Sequence, residues 1–341
     1  MFISLGEIML RFCPGDTPLR AAQQFTFSEG GGEYNVARAL SRCFEIDASI
    51  ITSLVDNEIG HLVQQLVRST NVNTQHILWR DFDGIGKEVR NPLYFAERGF
   101  GHRAPKATMD RGHSAPSQIK IEDFDWDAIF SDSSVKWFHT GGIFAGLSDS
   151  TLKVAEHAMK VARKHGVYVS YDPNYRASLW QDKGGAEAAR LANFTLAQYA
   201  DTLFGVAPLL HSVAPPTDQA QLEQLILETA QAFPQVETIV VGQRTIQSAS
   251  VHDYASTFYQ QGKISTVTGY QNIQVLDRIG SGDAFAAGYI AAILTQQSTE
   301  FAAQQGCATA ALTMSTPGDA VLVSKQDVLA LTNQTHFSES R

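Results

Sequence analysis

Asp277 to Gly288 reads DRIGSGDAFAAG: Gly280, Gly282 and Gly288 surround one acid, Asp283, and a helix-forming run follows. Beyond the turn, Phe285, Tyr289, Ile290, Ile293 and Leu294 recur at three- and four-residue spacing, which predicts an amphipathic helix opening near Ala284. The first N–H groups of a helix have no partner within it and the macrodipole is positive there, so an anion is stabilised. Gly280 and Gly282 let that backbone approach a phosphate without side-chain obstruction. Taken alone, the stretch reads first as a turn with Asp283 capping a helix, because such caps are common. It is not a Walker loop: Gly86-Lys87 and Gly262-Lys263 lack the following Ser or Thr. Nor is it a Rossmann fingerprint, which belongs to a first βα unit and not near a C-terminus.

Working outward, strand-like runs alternate with helix-like ones. FISLGEI precedes residues 33–42, ASIITSLV precedes 59–69, VKWFHTGG precedes 150–165 and VYVSYDPN precedes 185–200. DTLFGV then precedes 219–233, and ETIVVG follows. This alternation predicts βαβ units and an α/β core with a mainly parallel sheet covered on both faces. Residues 9–30 and 90–114 break the rhythm with short alternating segments rich in Gly and Pro, each just after a strand. They are expected to form a small β-sheet lid, discontinuous in sequence, over a core made of 1–8, 31–89 and 115–330. Residues 331–341 are read as a polar C-terminal tail.

Composition narrows the function. A net charge of -9 without a run of Lys or Arg argues against nucleic acid as a partner. Cys13, Cys43 and Cys307 are far apart and odd in number, which suits neither a disulfide framework nor a clustered zinc site. The start, MFISLGEIMLRF, meets Glu7 early and has no basic n-region, so it reads as a first strand rather than a signal. With no apolar run long enough to span a bilayer, no membrane partner and a cytoplasmic location are expected. The histidines show no metal-binding spacing, and no metal ligands are assigned.

A second glycine turn, GGGEYNVARAL from Gly30 to Leu40, also opens a helix. Alone it reads equally as a plain turn or a contact site. Together the two turns, about 240 residues apart, resemble the paired signatures of the ribokinase-like (PfkB) carbohydrate kinase family. There the first is similar to G-G-A-E-A-N-V-A and the second to D-x-x-G-A-G-D-A-F-x-x-G, with Ser281 standing where Ala is usual. The resemblance extends over nearly the whole chain, including DPNYRASLW (172–180) and STPGD (315–319). Within the family, YFAERGFGHRAPKATMDRGHSA and DPNYRASLW are most similar to the 2-keto-3-deoxygluconate kinases. The resemblance implies a ribokinase-like three-layer α/β/α core with a lid.

It also implies an ATP-dependent, magnesium-requiring sugar kinase that phosphorylates a terminal hydroxyl of a sugar acid, 2-keto-3-deoxygluconate first among candidates. Asp283 would be the catalytic base, with backbone N–H groups of Gly280, Ser281 and Gly282 forming an anion hole. Gly31, Gly32, Asn35, Tyr94, Arg111 and Arg176 would contact the substrate, the two arginines binding its carboxylate. A neutral sugar would not need two arginines. The nucleotide would lie over VGQRTIQSASVHDY, where Arg244, placed on a loop, and Ser248 are candidates beside Gly280 and Gly282. Asp319 is a candidate for substrate or for a monovalent cation, and reads equally as part of a turn.

Departures matter as well. The family's Asn-x-x-Glu element, which organises magnesium and phosphate, is replaced in GVAPLLHSV by Val206 and Leu209. Gly32 stands where sugar-acid kinases often have Asp, and Met109 where a tyrosine commonly precedes the lid arginine. The alternatives are a fructokinase or other PfkB-type sugar kinase, and a catalytically weak paralogue that binds sugar or nucleotide. Short exposed strands in a lid also make a homo-oligomer through the lid an expectation.

Overall fold

The structure is a computed structural model that describes residues 1–211 and 216–333. Most of the expected tail, and the end of GVAPLLHSV, lie outside the described residues. In chain order the strands are β1 (Phe2–Leu5), β2 (Met9–Cys13), β3 (Thr26–Gly30), β4 (Ala48–Val55), β5 (Ile77–Arg80), β6 (Leu93–Glu97) and β7 (Lys106–Asp110). They continue with β8 (Trp137–Gly141), β9 (Tyr168–Asp172), β10 (Thr202–Phe204), β11 (Thr238–Ser248), β12 (Val251–Gln260) and β13 (Lys263–Gln274).

Nine strands form one sheet in the order β13-β12-β11-β10-β9-β8-β1-β4-β5. From β11 to β5 every neighbouring pair is parallel, while β12 and β13 extend the sheet antiparallel. Alternation along the strands decides which core each residue joins. Phe2, Ile50, Trp137, Phe204 and Val240 face one helical layer, built on 32–42, 58–69, 281–294 and 299–314. Ile3, Leu5, Ile51, Phe138, Val169, Leu203 and Ile239 face the other, built on 126–131, 149–164, 185–197 and 219–232. The three-layer α/β/α arrangement expected from the alternation is therefore the one adopted, and each such side chain contributes roughly 1.5–3 kcal/mol through burial.

Two elements differ from the expectation. The helix Ser281–Leu294 is buried nearly all round rather than along one stripe, since Ala284, Ala286, Ala287, Ala291 and Ala292 are also inside. It lies between helices 32–42 and 299–314, and its small side chains permit that double packing. VGQRTIQS is strand, not loop, because β11 runs on past its parallel neighbour and pairs with β12 as a long ribbon. In β12 the buried positions include the polar His252, Ser256 and Thr257, and β13, on the outer edge, shows little apolar patterning, so neither announces itself by apolar alternation.

A second sheet, β3-β2-β6-β7, draws β2 and β3 from residues 9–30 and β6 and β7 from residues 90–114. Its β2–β6 pairing is parallel and the other two are antiparallel, so the lid sheet is mixed. One face carries Met9, Tyr94, Ala107 and Met109 toward a cleft. The other stacks Phe12 on Phe95, with Phe25 edge-on to both. In the main sheet the chain order reverses direction at β1, with β4 on one side and β8 on the other. Open α/β sheets bind ligands outside the carboxyl ends of strands at such a switch point.

Candidate active site

The cleft between the lid and the carboxyl ends of the main sheet has a volume of about 630 Å³. β1 leads into Glu7, β9 ends on Asp172, and β11 passes through Gly242 and Arg244 at the same edge. The glycine turn 280–282 and Asp283 form the floor, and Gly31, Gly32 and Asn35 form an adjoining wall.

The helix behind the turn begins at Ser281, three residues before the expected position, and Gly280 is its N-cap with no side-chain capping bond. Asp283 is consequently not a cap: it stands in the first turn, and its carboxylate accepts a hydrogen bond from Asn35 Nδ2 at 2.8 Å. The backbone N–H groups of Ser281, Gly282 and Asp283 are left without intrahelical partners. Gly280 has a different task from the one expected. Its φ of +81° lies in the left-handed region, and a Cβ there would sit 2.0 Å from the Asp319 carbonyl oxygen. Gly280 thus lets the turn pack on the segment carrying Asp319, while a Cβ on Gly282 would meet nothing within 4 Å, so Gly282 is the open face.

Burial, together with the nearby charges of Asp172 and Asp319, raises the Asp283 pKa to about 7, against the lowering effects of the Asn35 bond and Arg176. Asp172 is raised to about 6, mainly by burial and countered by Arg176. A carboxylate poised near neutrality is suited to accept a proton at physiological pH.

Asn35 donates to Asp283 and also lies 3.4 Å from Asp319 Oδ2. Tyr94, from β6, donates its hydroxyl hydrogen to the same Asp319 oxygen. Beneath them Arg11, only 1% exposed, pairs with Asp277 and lies 3.4 Å from Asp319 Oδ1. Its guanidinium carbon is also 5.8 Å from the Tyr94 ring centroid. A buried guanidinium between two buried carboxylates offsets charges that would otherwise be costly to desolvate. Arg11, Asp277, Asp172 and Arg278 are site residues that the sequence reading passed over. Asp172 carried a signal, an acid closing a predicted strand, and Asp277 opens the very stretch that defined the turn. Arg11 carried none, being an arginine in a lid strand whose partners lie across the chain.

Arg111 reaches the cleft from the lid, 3.6 Å from the buried Glu7 carboxylate. Its Nη2 has only the sulfurs of Met9 and Met109 as acceptors, at 3.3 and 3.4 Å. Thioethers are weak acceptors, so this donor is poorly satisfied. Arg176 lines the opposite side, exposed, with Nη1 donating to the Tyr175 carbonyl at 3.0 Å. Arg244 also lines the cleft, but Ser248 is not brought to it: its hydroxyl accepts from the Ser250 N–H in the turn joining β11 to β12. Val206 and Leu209 are buried in the apolar core. Among the described residues no group of three or more His, Cys, Asp or Glu is placed to hold a metal ion. Nor is any helix among them long and apolar enough to cross a membrane.

Residues 2–326 match the pattern of the pfkB family carbohydrate kinases. The fold superposes on the crystal structure of 2-dehydro-3-deoxygluconokinase from Thermotoga maritima with a TM-score of 0.88. The two are 30% identical, and the superposition covers 97% of this chain and 99% of that one. Among curated proteins, the 2-dehydro-3-deoxygalactonokinase of Haloferax volcanii is 27% identical over 96% of this chain and 94% of its own length. A probable fructokinase-2 of Arabidopsis thaliana is also 27% identical, over 87% of this chain and 83% of its own.

Proposed function

The chain belongs to the pfkB family of carbohydrate kinases, enzymes that transfer phosphate to a sugar hydroxyl, and from that premise we propose that it phosphorylates the terminal hydroxyl of a 2-keto-3-deoxy sugar acid, with ATP as donor. Relatives named for gluconate-type acids, galactonate-type acids and fructose resemble it at similar identity, so the substrate rests on the site. One observation carries the reading: Arg111 and Arg176 line the same cleft as Asp283, and Arg111 has an Nη2 with only sulfur acceptors. A carboxylate satisfies such a guanidinium through charge-assisted, bidentate hydrogen bonds. Among the acids, 2-keto-3-deoxygluconate, giving its 6-phosphate, is the reading that the resemblance around Arg111 and Arg176 favours.

In this mechanism Asp283 accepts the proton of the acceptor hydroxyl as that oxygen bonds to the γ-phosphorus and the bond to ADP breaks. The free N–H groups of residues 281–283 hold the phosphoryl oxygens, at a helix start that favours negative charge. Asn35 fixes the Asp283 carboxylate, and Tyr94 and Arg11 hold Asp319 beside it. Magnesium, when bound, neutralises phosphate charge. Asp172, which lines the cleft without an ion pair among the described residues and whose Oδ1 accepts from the Asn174 N–H at 3.1 Å, is the carboxylate that would help hold it. Phe25 and Phe27, 40% and 51% exposed beside the Phe12–Phe95 stack on the lid's outer face, form an apolar patch that favours a homo-oligomer through the lid.

The test is ADP release with ATP and magnesium over a panel of 2-keto-3-deoxy acids, ketoses and aldoses. A sugar acid is expected to be the best substrate, and Arg111→Gln should raise its KM by about 10- to 100-fold, the effect of a hydrogen bond to a charged group. Preference for fructose, with KM indifferent to Arg111, would establish the fructokinase reading instead. Sugar binding with no turnover on any substrate would make the chain a non-catalytic paralogue.

A further inference from the structure

Arginines gather in the cleft beside the helix start in excess of their partners. Arg244 and Arg278 both line it, and among the described residues neither has a carboxylate within ion-pair distance. Arg244 Nη1 donates to the Arg278 carbonyl at 3.5 Å. Burial and then the positive charge of Arg278 pull the Arg244 pKa downward, with a smaller contribution from Arg176 and against an opposing one from Tyr254, so the two guanidiniums lie in each other's field. Arg278 stands two residues before Gly280 and Arg244 on β11, so the pair flanks the helix start whose N–H groups at 281–283 are free. The fixed arrangement of two guanidiniums and several N–H donors suits a ligand with several charged oxygens. A single carboxylate is already provided for in the sugar-acid reading by Arg111 and Arg176. Where the family resemblance implies a polar Asn-x-x-Glu element for phosphate and magnesium, this chain buries Val206 and Leu209.

We propose that Arg278, together with Arg244, forms a phosphate clamp that binds the terminal phosphates of the nucleotide and stands in for the polar element this chain lacks. The inference rests on the kinase reading. The planar guanidinium suits this task better than an ammonium, since its donors match two phosphate oxygens at once.

The experiment measures ADP and AMP binding by calorimetry, with magnesium, for the wild type, Arg278→Gln, Arg278→Lys and Arg244→Gln, each checked by thermal melting. Arg278→Gln should weaken ADP about 10- to 100-fold, the effect of losing a charged hydrogen-bond pair, and leave AMP within about twofold. Arg244→Gln should give the same pattern, and Arg278→Lys should recover part of the loss. In turnover, KM for ATP should rise while KM for the sugar acid stays within about twofold. Unchanged ADP affinity, a loss shared equally by AMP, or a rise in sugar-acid KM without one for ATP would overturn the clamp. The binding arm needs no acceptor, so inactivity of the wild type on every sugar acid would sink the substrate reading and leave this measurement decisive.

Discussion

Helices 32–42 and 281–294 start alike and end up in different chemistry. Each opens on a glycine with no side-chain cap, and each carries one acid in its first turn, Glu33 and Asp283. Glu33 is the second residue of its helix and Asp283 the third of its own. One residue along a helix turns a side chain by about 100°. That step sends Glu33 inward, 4% exposed, where a Cβ on Gly6 would lie 2.4 Å from Oε2 and one on Gly141 2.8 Å from Oε1. Asp283 instead faces the cleft and meets Asn35 from the other helix. Glu33 Oε2 has no hydrogen-bond partner, and burial first, then nearby Asp283 and Asp172, pushes its pKa to about 8. Local syntax that differs by a single position therefore yields one buried acid whose pKa is pushed to about 8 and one acid poised to titrate in the cleft.

The largest expected effect breaks the symmetry outright. Asp283→Asn should lower kcat by about 10²- to 10⁴-fold, the usual contribution of a general base, while Glu33→Gln keeps activity within about tenfold. Steady-state rates on both variants, with melting curves to confirm folding, decide it; a near-normal rate for Asp283→Asn would reduce that residue to a structural part of the turn. A smaller effect concerns the bond between the helices. The base must be ionised, so kcat/KM should rise with pH through about 7. Asn35→Ala removes a donor that favours the ionised form and should move that limb to higher pH. A pH–rate profile shows the shift, and an unmoved limb would detach Asn35 from the base. The smallest effect is on stability. A carboxyl whose folded pKa is raised stabilises fully below its unfolded value and loses that contribution as pH rises through the folded one. Glu33 should accordingly cost the wild type stability as pH rises from about 4.5 to about 8, and Glu33→Gln should flatten that part of the Tm–pH curve. Parallel curves for the two proteins would mean Glu33 is ionised in place.

Much of the fold was legible because its signals are local. Strand and helix alternation located six of the parallel strands and the helices after five of them, and the irregular stretches marked where the lid strands lie. The antiparallel ribbon of β12 and β13 was not legible because a long hairpin carries no alternation of strand with helix. In the site, Asp283, Asn35, Tyr94, Arg111 and Arg176 were picked out and share one cleft, whereas Ser248 was placed by proximity in sequence to Arg244 and lies at the hairpin turn instead. Arg11 went unseen because Asp277 is 266 residues away in the chain, and no periodicity records a contact that distant.

By itself the sequence determined that two glycine-opened helices, each with an acid in its first turn, sit on an α/β scaffold, because backbone freedom and apolar spacing are properties of neighbouring residues. Only the tertiary structure decided which acid faces the cleft, which arginine is locked between Asp277 and Asp319, and which guanidiniums of the cleft are left without a carboxylate partner. Those outcomes depend on side-chain direction and on charges brought together across the sheet, and a buried charge is set by what surrounds it in space.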